Sequence, residues 1–302
     1  MGKKKIGFMA IILGLILTAC SDKEDGVFEV PFDGQLSHVH GMGYAGNDGG
    51  LYFASHIGLK IYRDGEWFET SDNVYDYMGF NAVDKGFYTS GHPSADSDLP
   101  NPLGIQRSFD AGKSLDSIAF EGETDYHAMA VGYNSHDIFL LNPEGNSILE
   151  PGFHISKDEG DTWKAVNVEG LEGEVSALAL HPTDSSLVAA ATSSGIYLSE
   201  NGGEKFSRIT NNSEQGTAVF FNKNALFYAS YDKSPSLIKY TVEDKEQELL
   251  NLPDLTEDGI AFIFQNPNKI EEVALYTIQG EAFLSEDATN TWFPLIKDGT
   301  VQ

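Results

Sequence analysis

The chain has 302 residues, 41% of them hydrophobic, with 46 Asp and Glu against 19 Lys and Arg and a net charge of −27. A surface this acidic repels nucleic acid and anionic lipid headgroups, because phosphate is held by Lys and Arg, so DNA and RNA are set aside as partners. Cys20 is the only cysteine, which excludes a disulfide within the chain.

In chain order, the first element is a leader rather than part of a fold. Lys3, Lys4 and Lys5 precede a thirteen-residue apolar run, 6–18, too short for an ordinary spanning helix but flanked as a signal peptide is. Leu17-Thr18-Ala19-Cys20 closes it and resembles the lipobox of bacterial lipoproteins. That resemblance implies a signal peptide over 1–19, cleavage before Cys20, and lipid on that cysteine. The body is then expected outside the cytoplasm, held to the membrane by lipid alone. Residues 20–26 read as a short polar tether, and 27–302 as one domain.

The remainder reads as strands and turns with no convincing helical period. "VFEVPF" (27–32) is a spare strand, expected to close a ring by pairing with the last sheet. Six four-strand units follow, beginning near residues 38, 75, 126, 175, 216 and 260. Within them, "SFDAGKSL" (108–115), "SKDEGDTW" (156–163), "SENGGEKF" (199–206) and "SEDATNTW" (285–292) start 48, 43 and 86 residues apart, the last being twice 43. A fixed period of this size signals a propeller or solenoid. In each copy an Asp or Asn can accept bonds from backbone N–H groups ahead of it, and Gly takes a left-handed position. Trp163 and Trp292 then open the next strand and are expected to plug the space between sheets.

The pattern Ser-x-Asp-x-Gly-x-Thr-Trp resembles the Asp-box, or BNR repeat, of sialidase-like and sortilin-like propellers. Ser156 to Trp163 matches at every position, whereas Asn201, Thr289, Leu115 and Phe206 are departures. The expected fold is all-β: a propeller of four-stranded blades with Asp-box turns, six blades favoured and seven the alternative, behaving as a monomer. Bacterial lipoproteins of this kind are in some cases labelled glycosyl hydrolases by scaffold similarity.

Propeller strand order places the starts of first strands, and the loops between second and third strands, at one mouth of the channel. Aligning the first strands gives a column His40, Tyr77, His127, Ser176, Thr217, Ile260. Two residues earlier stand His38, Tyr75, Asp125, Glu174, Gln215 and Asp258. His56 and His92 follow second strands. His38, His40, His56, His92 and His127 are therefore expected to gather at one mouth with Asp125 and Glu174. If 37–44 is a regular strand, His38, His40 and Met42 share a face.

Three kinds of site suit that cluster: a polar channel lining, an organic-ligand or catalytic site, and a transition-metal site. Neutral imidazoles with a carboxylate suit copper or zinc, and Met42 with Met129 would tilt the choice toward copper. His136, His154 and His181 read as satisfied polar groups. The sialidase resemblance implies a glycosidase reading, for which position at the mouth offers Asp125 and Glu174 as catalytic carboxylates, with Asp258 a further candidate and Tyr75, Tyr77 and Tyr126 nearby. It also implies an arginine triad, yet Arg63, Arg107 and Arg208 fall on outer strands or at the far end, so that activity does not carry over. No phosphate loop, nucleophile elbow or HExxH helix is present. The loop 92–104, stiffened by Pro93, Pro100 and Pro102, rises from the same mouth as a surface loop, a lid or a partner edge. The reading favoured is a membrane-anchored binding lipoprotein whose partner is a metal ion. A glycosidase acting on a glycan is the runner-up, and a sortilin-like scaffold for an extracellular protein comes third.

Overall fold

Short apolar runs punctuated by Gly, Asn, Asp and Pro fold as antiparallel strands in the computed structural model, which describes Gly2 and residues 27–36 and 38–302. The lysine-rich leader, Cys20 and the tether lie outside the described residues. The strands form six sheets, each a blade with its first strand innermost. The six first strands are Val39–Tyr44, Asp76–Val83, Met129–Val131, Val175–Leu180, Gln215–Phe221 and Ile260–Asn266. The ring is thus a six-bladed propeller, and the described residues contain no helix.

Burial follows position within a blade. Second strands such as Leu51–Ser55 and Val188–Thr192 are buried at every residue, whereas the outermost strand Glu246–Leu249 is exposed throughout. A strand covered on both faces by neighbouring blades can be apolar at every position rather than alternating. The core is accordingly six clusters, one between each pair of adjacent blades. The cluster joining Met42, Phe53 and Trp67 to Ala274, Leu284 and Ile296 closes the ring between the first and last blades.

The spare strand does not close the ring as expected. Glu29–Pro31 pairs antiparallel with Glu66–Thr70, the outer strand of the first blade. The outer edge of the last blade is already taken by its own hairpin, in which Ile296 and Lys297 pair with Val301 and Thr300. The residues just after the spare strand reach across instead. Leu36 N–H donates to the Gly299 carbonyl at 2.8 Å, and Gln35 bridges Thr300.

The four repeated turns share one hydrogen-bond pattern between third and fourth strands. In the second repeat, Gly160 N–H donates to Ser156 Oγ (2.8 Å), which donates to Asp158 Oδ1 (2.8 Å). Thr162 N–H and Oγ1–H donate to the same carboxylate at 2.8 and 2.6 Å. Ser108, Ser199 and Ser285 each accept the equivalent backbone N–H at 2.8 to 2.9 Å. Bonds from Thr162 and Thr291 hold the Asp158 and Asp287 carboxyls below the usual range. The final residue of each repeat, Leu115, Trp163, Phe206 or Trp292, packs into the cluster shared with the preceding blade. The turn therefore braces itself and wedges two blades together.

Candidate functional site

His40 reaches the channel by a route that a regular strand does not provide. Five of the six first strands carry a register shift near their start: between Val39 and Gly41, Met78 and Asn81, Val175 and Ala177, Gly216 and Ala218, and Ile260 and Phe262. A bulge inserts a residue that the partner strand does not match and re-aims its side chain. His40, Ser176 and Ala261 are such residues, and with Gly79, Phe80 and His127 they line a cavity of about 70 Å³ in the channel.

This arrangement corrects the alternation expected for 37–44. His38 lies before the strand in a left-handed conformation (φ 55°), exposed, with its ring 5.5 Å from that of His56. Met42 is fully buried in the core between the first and last blades and takes no part in the site. Met129 packs between the second and third blades, bordering the cavity. Tyr75, Tyr77 and Ile260, placed in the channel columns by alignment, are buried in the core. Asp258 is buried, its Oδ1 accepting from the backbone of Gly259 and Gln279.

Two groups form at the mouth. In the first, His40 Nε2 lies 3.3 Å from His56 Nδ1, which lies 2.9 Å from Asp76 Oδ1. The last contact lacks hydrogen-bond alignment, so this buried carboxylate oxygen is left without a donor. Burial lowers the His40 pKa, the nearby His56 imidazole lowers it further, and Asp76 partly opposes them. His40 therefore presents a neutral lone pair at neutral pH. Among the described residues only His40, His56 and Asp76 bring three such ligand atoms within 4.8 Å of one another.

In the second group His127 Nε2 and His92 Nε2 lie 2.7 and 3.4 Å from Asp125 Oδ2. Asp125 Oδ1 is buried without a donor. His92 Nδ1 meets Asn101 Oδ1 at 2.7 Å, so the loop 92–104 folds back onto the histidine that begins it. The loop around Asn146 braces the other side, donating to Thr124 Oγ1 and to the Tyr126 hydroxyl. Backbone pairing of Asp76 with His92 joins the two groups. Glu174 is exposed, its backbone N–H donating to Ser193 Oγ, and no contact among the described residues links it to Asp125.

Sequence reasoning missed Asp76 and Asn101. Asp76 had a signal: Tyr75 and Tyr77 flank it, and two aromatics facing the core leave the residue between them on the channel side. The remaining polar groups are scaffold. His136 and His154 are buried against Asp84 and the Glu150 carbonyl, and His181 meets the Lys223 carbonyl. Arg63 pairs with Glu29 and Asp48, Arg107 with Glu159 and Asp116, and Arg208 bonds its own blade's loop. No arginine triad meets in the channel.

No protein-family model matches the chain, and no curated protein matches it. Solved propellers do. A GH74 xyloglucanase from Xanthomonas campestris superimposes with a TM-score of 0.55 at 15% identity, over 89% of this chain but 47% of that one. An oligogalacturonate lyase from Vibrio parahaemolyticus gives 0.52 at 12%, over 89% and 82%. YCF48 bound to D1 peptide gives 0.51 at 16%, over 89% and 85%. The chain spans about half or less of the glycoside hydrolases it matches. At these identities the likeness shows the fold alone.

Proposed function

We propose that the protein is a metal-binding lipoprotein, anchored outside the cytoplasm through Cys20, that holds a divalent transition metal at His40, His56 and Asp76. One observation carries this reading. Metal–ligand bonds of about 2.0–2.1 Å in a tetrahedron set neighbouring ligand atoms about 3.3 Å apart. The separations of 3.3 Å between the histidine nitrogens and 2.9 Å from His56 to Asp76 match that edge with little movement. The donorless oxygen on Asp76 and the neutral His40 supply the lone pairs a cation needs.

Two imidazoles and a carboxylate suit Zn(II) or Cu(II); Met42 is buried in the core, and Met129 borders the cavity without belonging to the three-ligand group. Three protein ligands leave a fourth position facing the mouth, where His56 is half exposed. His38, His92 and His127 surround that opening and compete for or relay the ion. The repeated turns support placing the chain with Asp-box propellers of the sortilin-like and sialidase-like kind.

Elemental mass spectrometry of the purified protein, made without a histidine tag, tests the site after incubation with zinc or copper and desalting. The expected result is near-stoichiometric metal that is lost in His40→Ala/His56→Ala. A folded protein without metal above background overturns the reading. Anchoring is tested separately by detergent phase partition, which Cys20→Ala is expected to abolish.

A further inference from the structure

The larger cavity of the ring lies at the other end of the channel, where the first strands finish. It measures about 370 Å³, within the roughly 300–1,000 Å³ typical of small-molecule pockets. It shares Asn81, Leu178, Val219 and Phe264 with the smaller cavity below the histidines, so these four form the waist between the two ends.

The chemistry of this mouth differs from that of the rest of the surface. The chain carries 46 acidic and 19 basic residues, yet the lining holds one of each, Asp84 and Lys223. Asp84 is already engaged, with Oδ1 at 2.7 Å from His136 Nε2 and Oδ2 at 3.4 Å from Asn134 Nδ2. Lys223 stands exposed at the rim and makes no ion pair among the described residues, so the single free charge of the lining lies at its edge and not within the cavity. Side-chain amides take the place of charges. Asn222 Nδ2 donates to Gln265 Oε1 at 2.7 Å, and Gln265 Nε2 to the Ile270 carbonyl at 2.6 Å, which fixes one wall. Asn134 Oδ1 is buried without a donor. The side-chain amides of Asn224 and Asn268 have no hydrogen-bond partner among the described residues and stand at the exposed rim.

Two half-buried rings complete the site. Phe220 and Phe264, from the first strands of the fifth and sixth blades, lie 5.1 Å apart at 56° and present apolar surface to the cavity. Tyr133 adds a hydroxyl, and burial and the nearby Asp84 push its pKa up to about 12, so it stays a donor.

An amide offers a donor and an acceptor side by side, as each hydroxyl of a vicinal pair does, and an aromatic face accepts the C–H side of a pyranose ring. We infer that this mouth binds a neutral saccharide of one or two rings, separately from the metal site at the opposite mouth.

Saturation-transfer NMR on the purified protein tests this with glucose, galactose, xylose and cellobiose as probes, and with glucuronate, glucosamine and glutamate as charged controls. The expected result is transfer to at least one neutral saccharide, insensitive to EDTA. Its affinity should fall about tenfold in Asn224→Ala/Asn268→Ala, as the loss of one or two ligand hydrogen bonds predicts. Both residues are exposed, so an unchanged melting temperature confirms that the variant folds. Absence of transfer to all four neutral probes, preference for a charged control, or equal binding by the double variant overturns the proposal. Loss of the signal with EDTA would assign binding to the histidine mouth and overturn it as well.

Discussion

Replacing Gly91 by Ala probes both the fold and the site, because Gly91 lies between them. It is buried with φ +118°, immediately before His92, and its carbonyl accepts the Leu103 N–H that anchors the loop 92–104. A Cβ there would sit 1.9 Å from the Asp76 carbonyl oxygen and 2.9 Å from the Met78 nitrogen, where about 3.0 Å is the closest real approach. Both obstacles are backbone, so no rotamer change relieves them, and the strand bearing Asp76 must move by roughly an ångström. Overpacking of this kind costs about 1–3 kcal/mol, and a side chain in that backbone region about 1–3 kcal/mol more. At about 2–4 °C per kcal/mol for a domain approaching this size, the melting temperature should fall by roughly 10 °C. The displacement also exceeds the coordination tolerance of about 0.2 Å, so zinc affinity should fall by at least about tenfold. Thermal unfolding and zinc titration read the two effects separately, with Gly145→Ala as the control, where a Cβ meets nothing nearer than 3.7 Å. A Gly91→Ala protein with native melting temperature refutes the packing argument. One that melts lower but binds zinc as tightly when folded refutes the coupling of Asp76 to the site.

The repeated turns give a second expectation. Ser156→Ala leaves the buried Gly160 N–H without its acceptor and should cost about 1–3 kcal/mol in urea unfolding. The same change at Ser108, Ser199 or Ser285 should cost a similar amount, and pairs should add because they lie on different blades; losses below about 0.5 kcal/mol at all four would deny the turns a bracing role. Thr289 holds φ +70° where the other repeats place Gly, so Thr289→Gly should raise stability by about 1 kcal/mol, and a lower melting temperature would contradict this. The folded protein holds the His40 pKa below 6.5. Between those two values the unfolded chain binds more protons, so this contribution is complete above pH 6.5 and is lost as pH falls through the folded value. Urea unfolding across pH 4.5 to 7.5 should show a shallower acid slope for His40→Gln than for the native chain, and an identical slope would remove His40 as a source. Zinc affinity should weaken over the same acidic range, because the ion must displace that proton.

The scaffold was legible because its signals are local. A Ser and an Asp two residues apart, followed by a left-handed position, specify a turn within eight residues, and four such turns set the blade period. First strands expected near 38, 75, 126, 175, 216 and 260 begin at 39, 76, 129, 175, 215 and 260. The spare strand was misassigned because its partner is chosen by which sheet edge remains free. That depends on the Asp298-Gly299 hairpin filling the edge of the last blade, a fact about the far end of the chain.

The site was legible in part, and the shortfall has one physical cause. Period-two reading fixes which face a side chain takes only while a strand stays regular. Val39 and Met42 are three apart, yet both are buried in the same cluster between the first and last blades. Strict alternation would send them to opposite faces. The bulge between Val39 and Gly41 absorbs the extra residue, and that residue is His40. The same step sets out Ser176, Thr217 and Ala261; Ser176 lines the cavity as the alignment placed it, and Ala261 lines it where the alignment chose Ile260, one residue early. In the second blade the step spans Gly79 and Phe80, so the alignment chose Tyr77, a core residue, and passed over Asp76. Side chains aimed from bulges can face the channel without costing the blades any core contact. In the first blade that independence lets His40 face the channel while Val39 and Met42 hold the core on either side of it.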